Sequence, residues 1–209
     1  MWQAIVGVAL GFLLGSIPTA YLVGKAHGVD IRKHGSGNVG MTNAWRVLGW
    51  KAGVAVGAVD ILKGYVAAAW VSRLAVAGGM DPVYAGILTG AAAILGHVFT
   101  PWLRFRGGKG VAAGAGVFLG LMPIPTGICV AVFAVALLST WTVSVGSLSA
   151  AAALPLSVFL LDRLTGLEYH PALQWLSVAL ALFVFWTHRA NIKRLLRGQE
   201  LSFRKRSES

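Results

Sequence analysis

Six stretches of this chain are long, apolar and nearly free of charge: 2–24, 53–74, 83–103, 111–139, 147–161 and 172–187. Crossing about 30 Å of hydrocarbon takes about 20 mainly apolar residues as a helix, the length of most of these runs. Only 12% of the 209 residues are charged against 56% hydrophobic, and mean hydropathy is +0.72. About 25% charge is usual in a soluble domain, so a soluble globule and a disordered chain are both excluded. The single cysteine, Cys129, sits among apolar residues, which removes a disulfide framework and a cysteine zinc site. No basic residue precedes Lys25, so a cleaved signal peptide is not expected. The composition implies an all-α integral membrane protein forming one membrane-embedded domain over residues 1–209.

The cations are not scattered. Lys25, Arg32, Lys33, Arg46 and Lys51 surround the first polar loop, and Arg104, Arg106 and Lys109 fill a second. Arg189, Lys193, Arg194, Arg197, Arg204, Lys205 and Arg206 lie in a tail from about residue 188. These are fifteen of the eighteen Lys and Arg residues, and the positive-inside rule assigns all three segments to the cytoplasm. An uncharged amino terminus outside and a basic tail inside require an odd number of crossings. Splitting 111–139 at Pro123 and Pro125 makes seven, the expected count. Glycines four apart, at 7, 11 and 15, 53 and 57, 86 and 90, and 116 and 120, let helix backbones approach closely in lipid.

The unusual polar residues lie in the same three segments. The first, Gly35-Ser36-Gly37-Asn38-Val39-Gly40-Met41-Thr42-Asn43-Ala44-Trp45-Arg46, spells GxGxxG, but it follows a membrane span and not a strand, which argues against a dinucleotide site. Its amides, hydroxyl and guanidinium suit an anionic oxygen cluster, or simply a solvated loop. The second runs from Gly96-His97 to Arg106-Gly107-Gly108-Lys109-Gly110, directly before an apolar helix. Glycines and a cation at a helix amino terminus fit phosphate, although the same charges also set topology. Gly110 stands where a Walker loop needs Ser or Thr, which disfavours nucleotide hydrolysis. In the third, His188 and Asn191 are three apart and share a helix face, while the neighbouring arginines also suit anionic lipid.

Asp60 and Lys63 lie three apart within the second run, where either charge alone is expensive, so a structural ion pair is expected. Ser144 and Ser147 open the run that follows Trp141. No histidine has an aspartate five residues on, and no cysteine, histidine or carboxylate set suggests a metal; neither metal nor cofactor is expected. A transporter would need polar groups at mid-membrane, and only Asp60 and Lys63 qualify.

Together these segments resemble the bacterial membrane family of acyl-phosphate:glycerol-3-phosphate acyltransferases. The resemblance is carried by Gly15-Ser16-Ile17-Pro18-Thr19-Ala20-Tyr21, the Ser36–Arg46 loop, Asp60-x-x-Lys63-Gly64, Gly96-His97 through Gly107-Gly108-Lys109-Gly110-Val111-Ala112, and His188 through Glu200. It implies a seven-span bundle with glycine-rich active-site loops on the cytoplasmic face of a bacterial inner membrane. It implies transfer of a fatty acyl group from acyl phosphate to glycerol 3-phosphate, giving 1-acyl-glycerol 3-phosphate (lysophosphatidate) and inorganic phosphate, the first acylation of phospholipid synthesis. Partners are then these two substrates and membrane lipid, with no nucleic acid. The catalytic expectation falls on Ser36, Lys109, His188 and Asn191. Substrate binding falls on Asn38, Asn43, Arg46, His97, Gly107, Gly108, Gly110, Ser144 and Ser147. Lys109 is expected on the donor and leaving phosphate, and Arg46, Ser36, His188 and Asn191 on glycerol 3-phosphate. The donor's own phosphate oxygen is expected to take the hydroxyl proton, with His188 the alternative base.

Overall fold

The computed structural model describes residues 2–203, so Arg204, Lys205 and Arg206 of the basic tail lie outside the described residues. Every regular element among the described residues is helical. Backbone contacts group the chain into two compact units, Met1–Met122 and Pro123–Ser209.

The first unit begins with α1 (Trp2–Ser16), broken from α2 (Thr19–Ala26) at Ile17-Pro18. Proline supplies no N–H and pushes its predecessor away from helix, so the break falls where Pro18 stands. After a 3₁₀ turn at Ile31–Lys33, α3 (Met41–Leu48) occupies the second half of the polar segment that its glycines mark as a loop. Gly49 then redirects the chain into α4 (Trp50–Val66), which continues through a π turn at Ala67–Val71 into α5 (Ser72–Ala77). Asp81 caps α6 (Pro82–Val98), its carboxylate accepting from the Val83 and Tyr84 N–H groups at 2.8 and 3.4 Å. The unit ends with α7 (Val111–Leu121).

Glycines set its tightest contacts. A Cβ at Gly11 would stand 2.6 Å from the Thr89 carbonyl oxygen, and one at Gly15 would meet the Ala93 backbone, so α1 lies directly on α6. Gly64 and Gly116 likewise bring the backbones of α4 and α7 together at Ala113 and Ile61. Lipid offers helices no hydrophobic reason to associate, so such close approach supplies the dispersion contacts that hold them. Under the first loop, Ala20, Ile31, Val39, Ala44, Val56 and Leu103 form a buried apolar cluster.

The second unit has α8 (Pro123–Thr140), α9 (Val143–Thr165), α10 (Pro171–Thr187) and α11 (Arg189–Leu196). α10 and α11 meet at a 60° bend. The break expected at Pro123 and Pro125 is present, between α7 and α8. Five helical segments, of 25, 28, 22, 18 and 23 residues, are long and apolar enough to cross a membrane; the bent α10–α11 pair makes a sixth. α7 is apolar but only 11 residues long.

Candidate active site

In the first unit the Gly35–Arg46 segment is organised by Asn43, which is 1% exposed. Its Nδ2 donates to the carbonyls of Ile31 and His34, each at 3.1 Å, and its Oδ1 accepts from the Ser36 N–H at 2.9 Å. The amide is thereby committed to the loop backbone. This corrects the expectation that Asn43 binds substrate: it shapes the loop that presents Ser36. Gly35 is needed at the same place, because its φ of +60° is left-handed and a Cβ there would collide with Asn43 Oδ1. Ser36 is exposed, Asn38 half-buried, and Arg46 half-buried on α3.

The Gly107-Gly108 pair also differs from expectation. Gly107 N–H donates to the Val98 carbonyl at 2.9 Å, and Gly108 N–H to the His97 carbonyl at 3.0 Å. The last carbonyls of α6 lack helical partners, and these two amides satisfy them. The pair therefore caps α6 and does not offer its N–H groups to an anion. The turn back passes through Arg104 and Phe105, both non-glycine residues at positive φ, 54° and 60°. Gly110 adopts φ +86° to start α7, and half-buried Lys109 stands immediately before it. A cation beside the positive end of a helix dipole, with first-turn N–H groups lacking helical partners, is a phosphate-binding arrangement.

The expected Asp60–Lys63 pair is present, with Nζ 2.8 Å from Oδ1 and both side chains buried. Asp60 Oδ1 also accepts from Thr19 Oγ1 at 3.0 Å, and His97 Nδ1 lies 3.7 Å from it. Lys63 donates in addition to the Ile17 carbonyl at 3.0 Å, and Thr100 Oγ1 to the Ser16 carbonyl at 2.6 Å. Irregular backbone at membrane depth survives only where such partners satisfy it, so the pair holds the broken first span together. His97 is 7% exposed, its ring packed within the protein beside Asp60.

In the second unit the polar groups gather on a residue that the sequence reading left out of the site. Glu200 Oε1 accepts from Ser144 Oγ at 2.9 Å and from Asn191 Nδ2 at 2.5 Å, while Arg194 Nε donates to Oε2 at 2.7 Å. Burial raises the Glu200 pKa, but these donors outweigh it and hold the carboxyl below its ordinary range. The signal was present: Glu200 is the one carboxylate among the seven tail cations. The segment after it is strapped to the start of α9, with Phe203 N–H and Ser202 Oγ both donating to the Trp141 carbonyl, at 2.8 and 3.0 Å. Ser147 is buried one turn beyond Ser144.

His188 and Asn191 are both buried, but His188 is the bend residue between α10 and α11, not part of one continuous helix. Its Nδ1 lies 2.9 Å from the Val184 carbonyl. A carbonyl can only accept, so Nδ1 carries the proton and the neutral ring has its lone pair on Nε2. No group of three or more His, Cys, Asp or Glu suited to a metal occurs among the described residues.

Comparison with known proteins gives this arrangement a context. The family model described as glycerol-3-phosphate acyltransferase matches residues 5–198. A glycerol-3-phosphate acyltransferase of Chlorobaculum parvum is 44% identical, covering 96% of this chain and 97% of its own. That of Geobacter sulfurreducens is 42% identical over 98% of this chain and its own full length. Two crystal structures of an integral membrane glycerol 3-phosphate acyltransferase, each 33% identical, superpose with TM-scores of 0.86 for the glycerol 3-phosphate form and 0.83 for the lysophosphatidic acid form. The first covers 96% of both chains, the second 96% of this chain and 95% of the other. With a matched sequence running from the first helix to the end of the last, the chain belongs to the glycerol-3-phosphate acyltransferase family of integral membrane enzymes.

Proposed function

We propose that the acyl donor is an acyl phosphate and that the products are 1-acyl-glycerol 3-phosphate and inorganic phosphate. The observation that carries this reading is Lys109 at the amino terminus of α7, a place suited to a phosphate that leaves as well as to one that only binds. One similar solved structure is a lysophosphatidic acid form, which supports the product.

The 1-hydroxyl oxygen of glycerol 3-phosphate attacks the acyl carbonyl carbon. The carbon–oxygen bond to phosphate then breaks, its electron pair leaving with the phosphate. The hydroxyl proton passes to a phosphate oxygen of the donor, or to Nε2 of His188 as the alternative base. An acyl phosphate is already a mixed anhydride, so positioning and charge stabilisation supply the catalysis and no covalent enzyme intermediate is needed. Lys109 neutralises the leaving phosphate. Ser36, Arg46, His188 and Asn191 are assigned to glycerol 3-phosphate, Asn38 and Ser144 to substrate binding, and Asn43 and Glu200 to positioning within their own units. No metal takes part.

The seven-crossing topology, amino terminus outside, is proposed with it. α7 spans only about 17 Å at 1.5 Å per residue, so it crosses with the help of its flanking glycine loop and Met122. The loops at 35–46 and 104–109 and the tail then face the cytoplasm of a bacterial inner membrane, the domain being one functional whole.

A donor panel with purified protein, following lysophosphatidate, tests the chemistry. Turnover with acyl phosphate that persists in chelator is expected. Efficient turnover with acyl-coenzyme A or acyl-carrier protein alone overturns the donor, and metal-dependent recovery overturns the metal-free reading. Single cysteines in the three polar segments should label only from the cytoplasmic side; opposite labelling of any one overturns the topology.

A further inference from the structure

The phosphate loop is held by a buried histidine. His97 is 7% exposed, and it meets the Gly107–Lys109 turn in three ways. Its carbonyl accepts from Gly108 N–H at 3.0 Å, and that carbonyl leaves no room for a Cβ at Gly107. Its ring closes on Gly108: the three atoms nearest a Cβ at residue 108 are Nε2, Cε1 and Cδ2 of His97, the last two at 2.7 and 3.0 Å. Gly108 does not have positive φ, so alanine there conflicts with the His97 ring and not with its own backbone. On its other side the ring stands 3.7 Å from Asp60 Oδ1, the oxygen that also receives Thr19 and Lys63.

We infer that His97 is a positioning residue that sets Gly108, and through it Lys109, from a ring lodged between the loop and Asp60. The inference rests on Lys109 binding phosphate as proposed above. The placement of the cation thus depends on a buried network that reaches the broken first span through Lys63 and the Ile17 carbonyl. The part assigned to the imidazole here is geometric.

A double-mutant cycle between His97→Ala and Gly108→Ala tests this, read as steady-state kinetics with acyl phosphate per folded molecule. Gly108→Ala alone should lower kcat/KM about 100-fold, the scale of a misplaced catalytic group. In the His97→Ala background the same change should cost about tenfold or less, because the colliding ring is gone. His97→Ala alone should lower kcat with acyl phosphate and raise its KM as well, since a misplaced Lys109 stabilises the leaving phosphate less and holds the bound donor less tightly. Effects that multiply to within about twofold overturn the inference, as does His97→Ala with unchanged kcat. Should His97→Ala fail to fold, His97→Asn shortens the side chain, keeps a polar group beside Asp60 and completes the same cycle. Lys109→Ala, run in parallel, separates the two readings: retained turnover defeats the phosphate role of Lys109, whereas an additive cycle defeats the positioning role of His97 whatever Lys109→Ala does.

Discussion

In the first unit, polar side chains are buried mainly to stabilise irregular backbone: Asn43 ties a loop, Lys63 and Thr100 satisfy the carbonyls of a broken span, and the Gly107 and Gly108 amides cap α6. In the second unit, the largest side-chain cluster is built on a carboxylate, with Ser144, Asn191 and Arg194 all converging on Glu200. The difference follows the packing. Among the described residues, the 22-residue segment Pro82–Leu103, which carries His97, is the most buried of the five segments long and apolar enough to span, and α8 is the least buried. A tightly packed bundle can hold bent backbone at membrane depth. In the second unit the polar groups gather past the bend at His188, where a returning chain segment straps them.

The largest effect expected on this comparison is at Lys109, the first-unit group proposed to act on the leaving phosphate. Lys109→Ala should lower turnover by about 1000-fold or more, as loss of a principal charge-stabilising group does, while melting stays close to that of the parent. Lys109→Arg should restore little, because a planar guanidinium does not replace a compact ammonium beside a tight glycine turn. If Lys109→Ala melts early and keeps its specific activity, the residue belongs with the structural groups and the contrast between the two units narrows.

Asp60→Ala should reverse that signature. It strands Lys63 in the membrane interior and releases Thr19, and breaking a buried pair by removing one partner costs about 3–5 kcal/mol. Yield and melting temperature should fall first, with activity per folded molecule following. Normal melting with lost turnover would move the pair from the scaffold to the chemistry.

Glu200→Gln probes the second unit. The amide keeps the shape but not the charge that Arg194, Asn191 and Ser144 converge on, so activity should fall about tenfold and melting should drop. The pH dependence has a definite sign. The Glu200 carboxyl is held below its ordinary value of 4.5, so its stabilisation is complete above that value and is lost as pH falls through the lowered folded value. The melting gap between the parent and Glu200→Gln should therefore close on acidification below 4.5. A gap that widens there overturns the assignment.

Hydropathy made the spans legible, and Pro18 and Pro123 fall at breaks that are present, with Pro125 in the first turn of α8. Charge placement marked the three polar segments but not what each group does within them. Gly107 and Gly108 read as a phosphate cradle because glycine before a helix is a genuine anion signal; that their N–H groups cap α6 depends on a chain return that residue order does not encode. Asn43 read as a ligand because an amide in a glycine-rich segment serves loop and substrate equally well on paper. Glu200 escaped because an acid between the cations of a basic tail looks like incidental neutralisation until three donors from α9 and α11 are seen to meet on it.

The smallest effects expected distinguish two serines one turn apart on α9. Ser144 donates to Glu200 Oε1, so Ser144→Ala removes one of the three donors on that carboxylate. A hydrogen bond to a charged group is worth about 1.5–3 kcal/mol at most, and the remaining bonds from Asn191 and Arg194 keep Glu200 in place. A loss of a few-fold in activity and a small drop in melting are expected, together with a weaker response to acidification, because the Glu200 carboxyl then lies nearer its ordinary range. Ser147 is buried on the same face but Glu200 takes its α9 hydroxyl bond from Ser144, so Ser147→Ala should change turnover by less than about twofold, as for a packing serine. Steady-state kinetics and melting curves on both variants decide between them. Should Ser147→Ala prove the more damaging, the functional hydroxyl of α9 lies one turn deeper, and the Glu200 cluster is a tail anchor whose contribution to turnover is indirect.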